Sequence, residues 1–132
     1  LIRIFDDKNE ITFYPKQNNI LINFDKSFFQ RIMTNLILNA QQAKNEKQDF
    51  FIKINLELLN KKISLTIEDN GNGIPEDKLE KIFEPNFTTK SSGTGLGLAM
   101  VKRMIEDYKG EISIRSKEGK GTTFMIILPT NM

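Results

Sequence analysis

Apolar residues recur along this chain at two different spacings. From Lys26 to about Lys44, residues Phe28, Phe29, Ile32, Met33, Leu36, Ile37, Ala40 and Ala43 fall at three- and four-residue intervals. That spacing lines one face of a helix, and Asp25 stands where an N-cap belongs. Farther on the period shortens to two. Ile52, Ile54, Leu56 and Leu58 alternate with polar residues, as do Ile63, Leu65 and Ile67. These predict two strands, each with one buried face, joined at Asn60-Lys61-Lys62.

The same reading places short strands at Leu1 to Asp7 and Ile11 to Tyr14, around the turn Asp7-Lys8-Asn9-Glu10, and a short apolar run at Ile20 to Phe24. Pro75 suits the first position of a helix running to about Phe83. A longer helix is predicted from Leu96 to Lys109, with Leu98, Val101, Met104 and Ile105 inward and Gly110 as its C-cap. Glu111 to Ser116 and Thr122 to Leu128 form a last hairpin. Hairpin-linked strands interspersed with helices predict an α+β fold: a two-layer α/β sandwich, one mixed sheet with helices packed on one face.

Composition narrows the class. The 132 residues suit a single domain, 1–132, with its own core. The chain opens at Leu1 inside an apolar run, so it is expected to be excised from a longer protein. A formal charge of +2 with scattered Lys and Arg argues against a nucleic-acid partner. With no cysteine there is neither a disulfide framework nor a thiolate metal site. No apolar run approaches the ~18 residues of a membrane span, so no membrane contact is expected. There is also no histidine.

Five of the eight glycines lie between Asp69 and Gly97. Asp69-Asn70-Gly71-Asn72-Gly73-Ile74-Pro75 opens this stretch and Gly93-Thr94-Gly95-Leu96-Gly97 closes it at a helix start. Backbone N–H groups at a helix start attract anions. This suggests a nucleotide site, with Asp69 for a base and Lys90 and the second glycine run for phosphates. It is not a P-loop, because no Gly-x-x-x-x-Gly-Lys-[Ser/Thr] occurs. Gly93 to Gly97 also fails the Gly-x-Gly-x-x-Gly spacing of dinucleotide folds and of eukaryotic-type kinases, since Leu98 or Met100 stands at the sixth place. Glu68-x-Asn70-x-Asn72-Gly73 imitates a calcium loop but ends on Leu79 where a bidentate Glu is needed. Asn35 and Asn39, four apart on the first helix, share one side. On their residues alone they read either as caps of backbone groups within the core or as part of the site.

Taken together, these residues resemble the ATP-binding catalytic domain of bacterial sensor histidine kinases, whose superfamily includes gyrase, the heat-shock chaperone ATPases and the MutL proteins. Asn35-Leu36-Ile37-Leu38-Asn39-Ala40-Gln41-Gln42-Ala43 resembles the N box, and Asp69 to Pro75 the G1 box. Ile82-Phe83-Glu84-Pro85-Asn86-Phe87-Thr88-Thr89-Lys90 resembles the F box, and Gly93 to Leu98 the G2 box. All four stand in the family's order, within about Ile20 to Pro129. The Phe-Thr-Thr-Lys form is similar to the nitrogen-regulation type.

The resemblance implies ATP and Mg²⁺ as ligands. Asp69 would accept the adenine amino group, which guanine lacks at that place. Asn39 would hold Mg²⁺ through its side-chain oxygen, with Asn35 in support. Gly71 and Gly73 would let the backbone approach the base. Gly93, Thr94, Gly95, Leu96, Gly97 and Leu98 would surround phosphate. Lys90 reads as a phosphate contact or as a solvated loop lysine, and Thr122 would assist Asp69 through a water. Phe83 and Phe87 read as a lid hinge or as core fillers. The implied partners are a dimerisation domain of the same parent that carries the acceptor histidine, and a downstream response regulator; the parent would be a homodimer with this domain in the cytoplasm.

This sequence departs from the family at three places. Asn35 replaces the Glu with which ATP-hydrolysing relatives activate water. Ala43 replaces a Tyr common near the base, and Asn86 replaces a Phe. Two further functions stay open on the sequence: a protein serine kinase of the anti-sigma type, and a non-catalytic ATP-gated interaction module.

Overall fold

The computed structural model describes residues 11–15, 26–44, 49–84 and 97–129. In chain order these form β1 (Ile11–Pro15), α1 (Lys26–Gln42), β2 (Ile52–Leu59), β3 (Lys62–Asp69), the one-turn α2 (Glu76–Leu79), α3 (Gly97–Asp107), β4 (Glu111–Lys117) and β5 (Gly121–Pro129). The predicted strand at Leu1 to Asp7, the run at Ile20 to Phe24 and the cap at Asp25 lie outside the described residues.

One sheet holds the strands in the order β1-β2-β3-β5-β4. β1 runs parallel to β2, and every other pair is antiparallel, so the sheet is mixed as expected. β2 and β3 turn at Asn60 and Lys61, both at positive φ (50° and 66°). Such a two-residue turn matches the twist of the strands it joins.

Register decides what faces the core. Ile54, Ile67, Phe124 and Ile114 stand opposite one another across four strands, and Leu56, Leu65, Ile126 and Ile112 make the next row. On α1, Ile32, Met33 and Leu36 are buried against this face, as are Val101 and Ile105 of α3. The alternate face, with Lys53, Asn55, Ser64 and Thr66, stays only half-buried. Each fully buried Ile or Leu contributes roughly 1.5–3 kcal/mol, so this single interface between helices and sheet carries most of the stability. Where α1 begins and α3 ends, the rings of Phe28 and Tyr108 meet with centroids 4.0 Å apart.

The end of α3 departs from the sequence expectation. Gly110 does not supply the left-handed residue; Lys109 does, at φ 62°. The Gly110 N–H donates to Ile105 O (2.9 Å) and the Lys109 N–H to Glu106 O (2.8 Å), the paired bonds of a Schellman motif. Gly110 is glycine for space, because a Cβ there would stand 2.6 Å from Ile127 O. The helix expected from Pro75 to Phe83 is also shorter. It ends at Leu79, and turns carry the chain to Ile82, which is buried in the core.

Candidate nucleotide site

Three strands end their core-facing rows on a polar residue. β3 reads Ile63, Leu65, Ile67 and then Asp69. β4 reads Ile112, Ile114 and then Ser116. β5 begins at that row with Thr122, before Phe124, Ile126 and Leu128. Register places the three side by side, Asp69 opposite Thr122 and Thr122 opposite Ser116. Asp69 is 5% exposed and Thr122 4%, and they are the two buried polar side chains among the described residues. A carboxylate removed from water is costly unless hydrogen bonds compensate it. Here the Gly71 N–H donates to Asp69 Oδ1 (2.8 Å).

The loop after Asp69 is tied on both sides. The Asn72 N–H donates to Ala43 O at the end of α1 (2.7 Å), and Asn72 O accepts from the Gly119 N–H in the β4–β5 turn (2.7 Å). The Ile74 N–H donates to Ser116 Oγ (2.8 Å). Asn70 turns the other way: its Oδ1 accepts from the Phe51 N–H (2.8 Å) and its Nδ2 donates to Asp49 O (3.0 Å). That bridge holds the entry to β2 beside the exit of β3.

The two loop glycines have a reason inside the protein. Gly73 sits at φ 71°, and a Cβ there would collide with Lys117 O. A Cβ on Gly71 would collide with Ala43 O. Their missing side chains admit protein backbone, where the sequence suggested room for a base.

Asn35 and Asn39 on α1, and Ala43 just past its end, share one half-buried flank beside the buried stripe. Ala43 meets the Asp69 loop through Asn72. At the other end, a Cβ on Gly97 would lie 3.9 Å from Asn35 Oδ1, which places the start of α3 beside Asn35. From Asn35 to Ala43 the flank runs eight residues, about 12 Å. Leu98 packs against the core just behind Gly97. Lys90, Gly93, Thr94, Gly95, Leu96, Asn86 and Phe87 lie outside the described residues. Phe83 is half-buried with the Lys102 ammonium 5.4 Å from its ring centre.

The structure thus brings Asp69, Gly71 and Thr122 together at one end, and Asn35 and Gly97 at the other, with Asn39 between. Sequence reasoning missed Ser116, Asn70 and Asn72. The signal for Ser116 was present as a serine in core parity at the end of an apolar alternation.

This chain belongs to the family of histidine kinase-, DNA gyrase B- and HSP90-like ATPases, whose model matches residues 24–132. It is 41% identical over 110 residues to the signal transduction histidine-protein kinase AtoS of Escherichia coli (strain K12), covering 83% of this chain and 18% of that protein. With the sensor histidine kinase ZraS of the same strain it shares 40% identity over 84% of its length, and 23% of that relative is covered. The chain therefore spans about a fifth of the length of these curated relatives. Among solved structures, the catalytic domain of histidine kinase ThkA superposes with a TM-score of 0.80 at 34% identity, covering 92% of this chain and 78% of that one. ThkA has also been solved in complex with the response regulator protein TrrA, and there the match has a TM-score of 0.76 at 29% identity over 92% of this chain and 34% of that one.

Proposed function

We propose that this domain binds Mg-ATP with the adenine at Asp69 and the phosphates along Asn39 and Asn35 toward the start of α3, and delivers the γ-phosphate to a histidine on a separate dimerisation domain of the same parent protein. The observation that carries this reading is the buried Asp69. A carboxylate buried at the end of an apolar row is a costly feature to keep. Beyond the bond it accepts from the Gly71 N–H, a carboxylate has several acceptor sites, and the adenine amino group is a donor suited to one of them.

A metal fits on terms set by the donor set. Among the described residues no three His, Cys, Asp or Glu side chains converge, so these residues form no cage by themselves. The Asn39 carboxamide oxygen is a hard ligand of the kind Mg²⁺ takes singly when phosphates and waters fill its other places. When bound, Mg²⁺ would neutralise charge on the phosphates. Asn39 would hold it, Asn35 would support that geometry, and the α3 N-terminus at Gly97 would offer N–H groups to phosphate.

Phosphoryl transfer asks for positioning and charge stabilisation more than for covalent chemistry from the protein. An imidazole nitrogen would attack the γ-phosphorus, the bond to the bridging oxygen would break, and ADP would leave. The chain holds no histidine, so the acceptor must come from another domain. No carboxylate occupies the Asn35 position to activate water, which favours transfer over hydrolysis. A downstream response regulator fits the same scheme, as does a cytoplasmic position in a homodimeric parent. Among the described residues no helix is long and apolar enough to cross a membrane.

The test mixes this domain with the parent's histidine-bearing helical domain and γ-labelled ATP, then resolves the two chains on a gel. Acid-labile label should appear on the added chain alone, slowly, because untethered docking loses effective concentration. Acid-stable label on a serine would point to a serine kinase. ATP binding with no transfer to the supplied histidine would point to an interaction module.

A further inference from the structure

We propose that Ser116 is a positioning residue for the base pocket, one that fixes the direction of the Thr122 hydroxyl and thereby helps set which purine is accepted. The inference rests on the nucleotide reading above and adds a specificity role on β4, a strand that reading leaves unused. Ser116 Oγ has three neighbours within hydrogen-bond distance. It donates to Gly121 O (2.8 Å), accepts from the Ile74 N–H (2.8 Å), and lies 2.7 Å from Thr122 Oγ1.

A hydroxyl has one proton and two acceptor sites. The Gly121 carbonyl can only accept, so the Ser116 proton goes there. The Ile74 N–H can only donate, so it fills one acceptor site. The bond to Thr122 must then run from the Thr122 hydroxyl to Ser116. That leaves Thr122 Oγ1 with lone pairs alone for anything bound beside it. Asp69, its direct cross-strand partner, also only accepts when ionised. The polar row thus shows a ligand acceptors and no side-chain donor.

Such a row fits the exocyclic amino group of adenine and opposes the carbonyl at the same position in hypoxanthine or guanine. Directly opposite side chains on paired strands lie about 5 Å apart at Cβ, so both groups stand within reach of one base edge, directly or through a water. Removing the Ser116 hydroxyl frees Thr122 to rotate and donate, and a purine carbonyl could then be accommodated.

The test measures ATP and ITP affinity by calorimetry for the wild-type domain, Ser116→Ala, Thr122→Val and the double variant, with thermal melts to confirm folding. In Ser116→Ala the ratio of ATP to ITP affinity should fall about fivefold, the worth of one hydrogen bond. In the Thr122→Val background the Ser116→Ala change should leave the ratio unmoved, because no Thr122 hydroxyl remains for Ser116 to direct. Should Ser116→Ala not fold, Ser116→Cys keeps the bulk with only a weak donor and acceptor, and must show the same fall. An unchanged ratio in a folded Ser116 variant, with both nucleotides weakened equally, would reduce Ser116 to a structural link and overturn the inference. So would a Ser116→Ala fall of the same size in the Thr122→Val background as in the wild type. A wild-type domain that bound no ATP would instead defeat the proposed function itself.

Discussion

The two ends of the candidate site are built differently. At the Asp69 end every loop residue from Gly71 to Ile74 is held to a neighbouring element, by a hydrogen bond or by a contact that leaves no room for a side chain. Gly71 bonds Asp69, Asn72 bonds both Ala43 and Gly119, Gly73 packs on Lys117, and Ile74 bonds Ser116. At the other end, Asn35 and Asn39 lie half-buried along a helix, and Gly97 opens another. The first end is set by the protein's own bonds. The second offers carboxamides and a helix start, groups that bind charge through a metal or through N–H donors. On the proposed function, base recognition would be prearranged in the fold, and phosphate and metal recognition would draw on the carboxamides and the helix start.

Substitutions can separate the two ends. The largest effect on stability is expected from Gly73→Ala, which combines a strained positive φ with a collision against Lys117 O. About 3 kcal/mol should be lost, read as a lower urea midpoint at unchanged slope. A change below ~0.5 kcal/mol would mean that the loop is not tied as described.

Asn39→Ala should act on the ligand side of the contrast. Mg-ATP binding should weaken about tenfold, ~1.4 kcal/mol, and far more than binding of metal-free ADP. Calorimetry with and without Mg²⁺ decides this. Equal losses under both conditions, in a folded variant, would make Asn39 a core residue and would erase the distinction drawn here.

The smallest effect is expected from Asn70→Ala. It removes the acceptor for the Phe51 N–H and the donor to Asp49 O, and should cost ~1 kcal/mol of stability. Its ATP affinity should stay within about twofold of wild type, because Asn70 faces β2 and away from the polar row. A larger loss of binding would bring Asn70 into the site and blur its boundary.

Much of this was legible in the sequence. Alternation located β2 and β3, the hairpin reading located β4 and β5, and helical spacing located α1 and α3, because each element buries one face against a single core. The ordered boxes singled out Asp69, Asn35 and Asn39 for the proposed site. What escaped was set by partners distant in the chain. Nothing near Gly73 announces Lys117, and nothing near Gly110 announces Ile127, so the reasons for both glycines needed the structure. Lys109 took the left-handed position by the same logic, once the close approach of β5 reserved Gly110. Pairing of β1 with β2 depends on a parallel crossover that local pattern does not encode. Ser116 lay between these cases: its parity was readable, but its three bonds were not.

The central claim is that the buried carboxylate of Asp69 reads adenine, and ATP titration of Asp69→Asn by calorimetry tests it most directly. The amide can turn its NH₂ toward the adenine donor and also forfeits a charge-assisted bond. Loss of ~3 kcal/mol or more of binding is predicted, on the order of 100-fold, in a domain that still melts cooperatively. Near-normal ATP affinity in that variant would contradict the assignment and leave the polar row without its ligand.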